Sequence, residues 1–92
     1  MNRSETEDII RVAVAGACGR MGTLVVQTVL KQPDMLLVSA IDKQHVGEDI
    51  GTITVERPIG LTVTDHLGEA LSQTQPHVLV DFTTLGAAVS HI

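Results

Sequence analysis

A parallel α/β fold, with helices covering one sheet on both faces, is what this sequence of 92 residues predicts. Three observations carry the prediction. Residues 12–22 read Val-Ala-Val-Ala-Gly-Ala-Cys-Gly-Arg-Met-Gly, a β-branched run that passes through glycines straight into a helical pattern. Further apolar runs follow with helical stretches between them, the order that gives parallel strands joined by crossovers. The apolar residues are almost all aliphatic, Phe82 being the sole aromatic, and such a core suits a sheet buried on both sides.

The elements follow in order. Residues 1–8 are polar and acidic and read as a flexible tail. Residues 9–15 (Ile-Ile-Arg-Val-Ala-Val-Ala) form the first expected strand, and residues 19–32 the first helix. In that helix Met21, Leu24, Val25, Thr28 and Val29 fall at i, i+3, i+4, i+7 and i+8, the expected apolar face. Lys31 stands in its last turn, where a cation opposes the helix dipole, and Pro33 ends it. Residues 35–41 (Met-Leu-Leu-Val-Ser-Ala-Ile) are nearly all apolar, as in a strand covered on both faces. Residues 42–60 hold Gly47, Gly51, Pro58 and Gly60 and read as a long loop with a short extended piece at 53–55.

A short third strand is expected at 61–63, then a helix over about 66–74 with Asp65 as its N-cap. Residues 78–82 (Val-Leu-Val-Asp-Phe) form a fourth strand. Thr83 and Thr84 can cap a last helix from about Leu85 onward. The sum is a Rossmann-like, doubly wound parallel sheet that is incomplete. Residues 9–92 are expected to be the front part of a dinucleotide-binding domain, with no catalytic or substrate domain.

Composition excludes several classes. The net charge is −5, and the Lys and Arg residues are scattered. With no basic patch and no aromatics to stack on bases, nucleic acid is not an expected partner. No apolar run approaches the roughly 18 residues a membrane span needs, and no signal or transit segment is seen. One cysteine precludes an internal disulfide and fits a reducing cytoplasm. His45, His66, His77 and His91 show no metal-ligand spacing, so they read as loop or surface residues and no metal site is expected.

The chemistry-bearing motif is the glycine turn. Gly16 suits the dihedrals of a tight turn, Gly19 lets a pyrophosphate approach the backbone, and Gly22 lets helix and strand pack closely. The spacing is G-x-x-G-x-x-G, with Ala17 where a dinucleotide fingerprint usually has its second glycine. Cys18 is small enough to fit the loop. Arg20 is a cation at a helix N-terminus, a poor place without an anion nearby, so a cofactor phosphate is its expected partner.

Asp42 stands twenty residues beyond Gly22, where an acidic residue accepts bonds from an adenosine ribose. Lys43 beside it can meet a 2′-phosphate, so both NADH and NADPH are expected to be tolerated. Asp81, Phe82 and Thr83 end the fourth strand at the ligand-binding edge of such a sheet. There Phe82 can pack near a nicotinamide, and neighbouring backbone can bond its carboxamide.

Gly-Ala-Cys-Gly-Arg-Met-Gly together with Asp-Phe-Thr at 81–83 resembles the 4-hydroxy-tetrahydrodipicolinate reductases, also called dihydrodipicolinate reductases. The resemblance runs from Arg11 to Ile92. It implies an NADH- or NADPH-dependent hydride transfer to a cyclic unsaturated dicarboxylate, in the diaminopimelate route to lysine. By the same resemblance Gly16, Ala17, Cys18, Gly19, Arg20, Met21 and Gly22 form the cofactor turn. Asp42 and Lys43 fall on the adenosine side, and Asp81, Phe82 and Thr83 on the nicotinamide side.

The family's substrate ligands, a His-His pair and a Lys with a Ser-Gly-Thr segment, lie in a second domain that is not in this sequence. Its Gly-Thr-Thr-Gly segment is not in this sequence either. That second domain also builds the family's homotetramer. The 92 residues alone are therefore expected to be inactive. Leu85 replaces a frequent Pro, and Asp42 a frequent Glu. Two alternatives remain open on the residues themselves: a non-enzymatic nucleotide- or CoA-binding regulatory module, and another NAD(P)-dependent dehydrogenase with the same opening unit.

Overall fold

The structure, a computed structural model, describes residues 9–83. The expected tail at 1–8 and the helix from Leu85 lie outside the described residues. Three parallel strands form one sheet: β1 (Ile10–Ala15), β2 (Met35–Ile41) and β3 (Val78–Asp81), in the order β2-β1-β3. The helices are α1 (Arg20–Lys31), α2 (Ile50–Val55) and α3 (Leu67–Thr74). Strand, helix and strand at the start follow the bounds read from the sequence to within a residue or so.

Alternation along β1 divides the core. Val12 and Val14 face α1 and join Val26, Val29, Leu37, Ala40, Ile50 and Val63. Ala13 and Ala15 face the opposite way, onto Ile41, Ala70, Leu67 and Leu71 of β2 and α3. Small alanines on that face let α3 approach closely. With α1 and α3 on opposite faces, the sheet is wound on both sides, a partial Rossmann-like fold.

The β1–β2 register slips once: Val12 pairs with Leu37 but Ala13 pairs with Ser39. The bulge at Val38 explains how Leu37 and Ala40, three apart, both reach the α1 face.

Four expectations differ from what is observed. The buried line of α1 is Gly22, Val26 and Val29, while Met21 and Leu24 are 50% and 52% exposed. The polar side chains Arg20, Thr23, Gln27 and Lys31 cluster on one side of the helix and the buried line lies opposite them, a phase that the apolar spacing at 21, 24, 25, 28 and 29 does not take into account. The contact of Gly22 with the β1–α1 turn sets it.

Residues 50–55 are helical rather than looped or extended, although Thr-Ile-Thr-Val has weak helix propensity. Asp49 caps α2 by accepting from the Gly51 amide at 2.7 Å, and it also accepts from Ile59 and Gly60 at 2.9 and 2.7 Å. Gln27 of α1 donates from Nε2 to the Thr54 carbonyl at 2.7 Å, holding the other end. Tertiary bonds override propensity here.

The third strand at 61–63 is reduced to isolated bridges, Thr64 beside Ile41 in parallel and Thr62 beside Asp49 in antiparallel fashion. The chain does pass on the far side of β2, but it diverges to bond the Glu48 carbonyl through the Val63 amide. Finally, His66 rather than Asp65 is the N-cap of α3, and its side chain makes no cap bond.

His77 has a structural task the sequence did not reveal. Its Nδ1 accepts from the Arg11 amide at 2.9 Å while its own amide donates to the Arg11 carbonyl at 2.8 Å. The Arg11 guanidinium in turn donates to the Thr74 carbonyl, satisfying the end of α3 before the chain turns into β3. Among the described residues, no helix is long and apolar enough to cross a membrane.

Candidate functional site

Because all three strands are parallel, Ala15, Ile41 and Asp81 end them on the same edge of the sheet. The segments that follow, 16–19, 42–44 and 82–83, therefore gather at one rim. The sequence-predicted site residues lie on or next to these segments, except Met21 and Gly22, which stand in the first turn of α1.

The turn after β1 owes its shape to two of its three glycines. Gly16 sits at φ +79°, a left-handed conformation that disfavours a side chain. A Cβ there would also stand 3.1 Å from the Phe82 Cβ. Gly22 is tighter still: a Cβ would lie 1.9 Å from the Gly16 carbonyl oxygen and 2.8 Å from the Ala17 Cα.

Gly19 differs. It is the exposed N-cap of α1 with φ −79°, and a Cβ there would meet only the Gly16 oxygen, at an ordinary 3.5 Å. Nothing within the described protein requires that position to be bare.

The amides of this turn are mostly committed. Those of Gly16 and Ala17 donate to the Ile41 carbonyl at 2.7 and 3.1 Å, and that of Gly19 to the Gly16 carbonyl at 3.1 Å. The Cys18 amide donates to Asp42 Oδ2 at 2.9 Å. The next three amides, those of Arg20, Met21 and Gly22 in the first turn of α1, have no backbone partner among the described residues. Those of the exposed Arg20 and Met21, together with the exposed face of Gly19, make the open donor set, whereas Gly22 is buried against the turn.

Asp42 leaves the end of β2 half-buried, its second oxygen accepting from the Gln44 amide at 2.9 Å. A cleft of about 220 Å³ lies between the two loops, lined by Cys18, Gly19, Asp42 and Gln44. The Cys18 thiol donates to the Gln44 carbonyl at 3.6 Å. Burial, then the negative Asp42 and Glu48, push its pKa up to about 11. The helix N-terminus therefore does not activate this thiol: it stays protonated, a small donor that fits the loop.

Arg20 and Lys43 are both exposed, one at the first residue of α1 and the other beside Asp42. No carboxylate among the described residues forms a salt bridge with either. Met21 projects outward next to Arg20.

On the third loop the Phe82 amide donates to the Ala15 carbonyl at 2.9 Å, fixing 82–83 beside the glycine turn. The Phe82 side chain packs against the α1-side core. Asp81 Oδ1 accepts from the Thr83 amide at 2.8 Å and from its hydroxyl. Among the described residues, no group of three or more His, Cys, Asp or Glu is placed to hold a metal ion.

Gln44 is the lining residue that the sequence reading missed. Its position two residues after Asp42, in an Asx turn, was the available signal.

The chain has relatives among known proteins. Residues 10–92 match the family model described as dihydrodipicolinate reductase, N-terminus. The chain is 48% identical over 89 residues to a protein named 4-hydroxy-tetrahydrodipicolinate reductase from Methanothermobacter thermautotrophicus, covering 91% of this chain and 33% of that one. A protein of the same name from Methanocaldococcus jannaschii is 40% identical over 89 residues, covering 91% and 32%.

Among solved structures, a dipicolinate-bound dihydrodipicolinate reductase from Paenisporosarcina sp. TG-14 superposes with a TM-score of 0.64 at 30% identity, over 90% of this chain and 32% of that one. An amine dehydrogenase from Mycobacterium smegmatis gives 0.68 at 34% identity, over 76% and 21%. The chain thus spans about a third of the length of the curated relatives it matches.

Proposed function

This chain belongs to the dihydrodipicolinate reductase N-terminus family, and we propose that it is the NAD(P)H-binding portion of a 4-hydroxy-tetrahydrodipicolinate reductase. The observation that carries the reading is Gly19. It is bare although, among the described residues, the fold makes no demand on it, and beside it three helix-start amides have no backbone partner among those residues. A pyrophosphate seated there accounts for both.

The residues of the rim fit the remaining parts of a dinucleotide. Asp42 offers its outer lone pairs to an adenosine ribose. Lys43 and Arg20, exposed cations on either side of the cleft, can meet a 2′-phosphate. We therefore expect NADH and NADPH to bind within about tenfold of each other, a difference of about 1.4 kcal/mol or less. Asp81, Phe82 and Thr83 line the rim beyond Gly16, where the nicotinamide end would lie. The chemistry a nicotinamide supplies when bound is hydride donation, here to a cyclic unsaturated dicarboxylate. The part of this chain is to orient the carrier and to leave its reactive end at the open edge of the sheet.

Substrate ligands and tetramer contacts are assigned to a second domain outside these residues, and the setting to the cytoplasm. On this reading the 92 residues bind cofactor without turning it over.

Titration of the chain with NADH and with NADPH, followed by calorimetry, tests the proposal. Gly19→Ser is the diagnostic variant, since serine is an equal or better N-cap but places atoms where the pyrophosphate must sit. Cofactor affinity should fall about tenfold or more while the melting temperature holds or rises. Folded wild-type chain that binds neither nucleotide would refute the reading.

A further inference from the structure

We propose that Asp42 has a second task beyond recognising a ribose: it is a positioning residue that holds the glycine turn in its phosphate-receiving shape. This rests on the cofactor reading above. The carboxylate bridges two loops that share no strand. Oδ2 takes the Cys18 amide and Oδ1 takes the Gln44 amide, both at 2.9 Å.

The Cys18 thiol closes the same junction from the other side by donating to the Gln44 carbonyl. Around it, the amides of Gly16 and Ala17 are held by the Ile41 carbonyl, one residue before Asp42. The end of β2 therefore grips three consecutive amides of the turn, two by its main chain and one by the Asp42 side chain.

Two consequences follow. The bond to Cys18 is the part of that grip nearest Gly19, so it sets the direction in which the chain enters α1. It also withdraws the Cys18 amide from any ligand, leaving the amides of the exposed Arg20 and Met21 as the open set. A carboxylate accepting from a backbone amide makes a stronger bond than a neutral acceptor would. Its removal leaves the Cys18 amide without its acceptor and frees the turn to rotate about Gly16 and Gly19.

A residue that only read the ribose would matter only for ligands bearing ribose hydroxyls. A residue that positions the turn matters for the diphosphate as well.

The experiment uses the 92-residue chain with two probes, ADP and 2′,3′-dideoxy-ADP, titrated by amide NMR into wild type, Asp42→Ala and Asp42→Asn. Asp42→Ala should weaken both probes by about tenfold or more, the loss expected of a charge-assisted bond. Asp42→Asn keeps one acceptor oxygen and should recover part of the affinity for the dideoxy probe. Should Asp42→Ala fail to give a native spectrum, Asp42→Asn carries the test, with an intermediate loss expected on both probes. Loss confined to ADP, with dideoxy-ADP bound as by wild type, overturns the proposal.

Hydrogen exchange of the Cys18 amide in the free chain reads the latch without any ligand. It should be protected in wild type and speed up in Asp42→Ala, and equal rates would overturn the latch. Wild type that binds neither probe nor NADH sinks the cofactor reading instead, and the Cys18 amide alone then decides for or against the latch.

Discussion

Gly22→Ala is the sharpest test of how the strand, the turn and α1 fit together. The added Cβ would stand 1.9 Å from the Gly16 carbonyl oxygen and 2.8 Å from both the Gly16 carbonyl carbon and the Ala17 Cα. All three are backbone atoms, so no side chain can swing aside. Relief requires α1 to move off β1 by about 1 Å, and interiors packed at crystal density do not absorb that without loss.

The shift would loosen Val26 and Val29, which continue the buried line of Gly22. Overpacking of this kind costs about 1–3 kcal/mol. Alanine returns about 1 kcal/mol through helix propensity, but a clash with rigid backbone belongs at or above the upper end of the overpacking range. The net expectation is a loss of about 2 kcal/mol. For a chain of this size that is a fall of about 8–16 °C in Tm, read by circular dichroism during heating. An unchanged or raised Tm would refute the account, because propensity would then outweigh the contact.

Three further outcomes are expected. Asp49 is held below the usual carboxylate range, first by the Ile59 amide and also by those of Gly60, Gly51 and Thr52, against a smaller effect of burial. Its contribution is therefore present above the ordinary carboxylate pKa and is lost as pH falls from about 4 through the lowered folded value. Asp49→Asn should flatten the dependence of Tm on pH below about 5, and an unaltered slope would count against the cap.

Cys18, with its pKa pushed up to about 11, should react with iodoacetamide at pH 8 far more slowly than an ordinary thiol of pKa about 8.5. Its rate should keep climbing to about pH 11, so a plateau by pH 9 would contradict the assignment. Gln75 ends α3 in a left-handed conformation at φ 48°. Gln75→Gly should add about 0.5–1 kcal/mol and raise Tm by a few degrees without altering nucleotide binding, and a lowered Tm would speak against strain there.

The parts of the fold that were legible in the sequence were those governed by local chemistry. Residues 12–22 declare a strand, a turn and a helix because β-branching, glycine and 3.6-residue periodicity act over a few neighbours. Gly22 and Gly16 could be assigned their roles from spacing alone, since a tight turn against a helix leaves few alternatives. That the candidate residues gather at one rim was legible for the same reason, as parallel strands end on one edge and carry their following loops there.

The apolar spacing at 21, 24, 25, 28 and 29 gave the wrong face of α1, because it left out of account the polar side formed by Arg20, Thr23, Gln27 and Lys31, opposite which Gly22, Val26 and Val29 are buried. Nor did the sequence disclose α2. Its residues prefer extended structure and become helical only because Asp49, held by the Ile59 and Gly60 amides ten and eleven residues further on, caps one end and Gln27 of another helix donates to the other.

By itself, then, the sequence determined the fold class, the turn and the residues at the rim, since each follows from short-range sterics and patterning. Tertiary structure alone decided which amides remain open. That depends on where the end of β2 falls relative to the turn after β1, and on the Asp42 carboxylate reaching across to Cys18. Such bonds join residues far apart in the chain, and no local pattern records them.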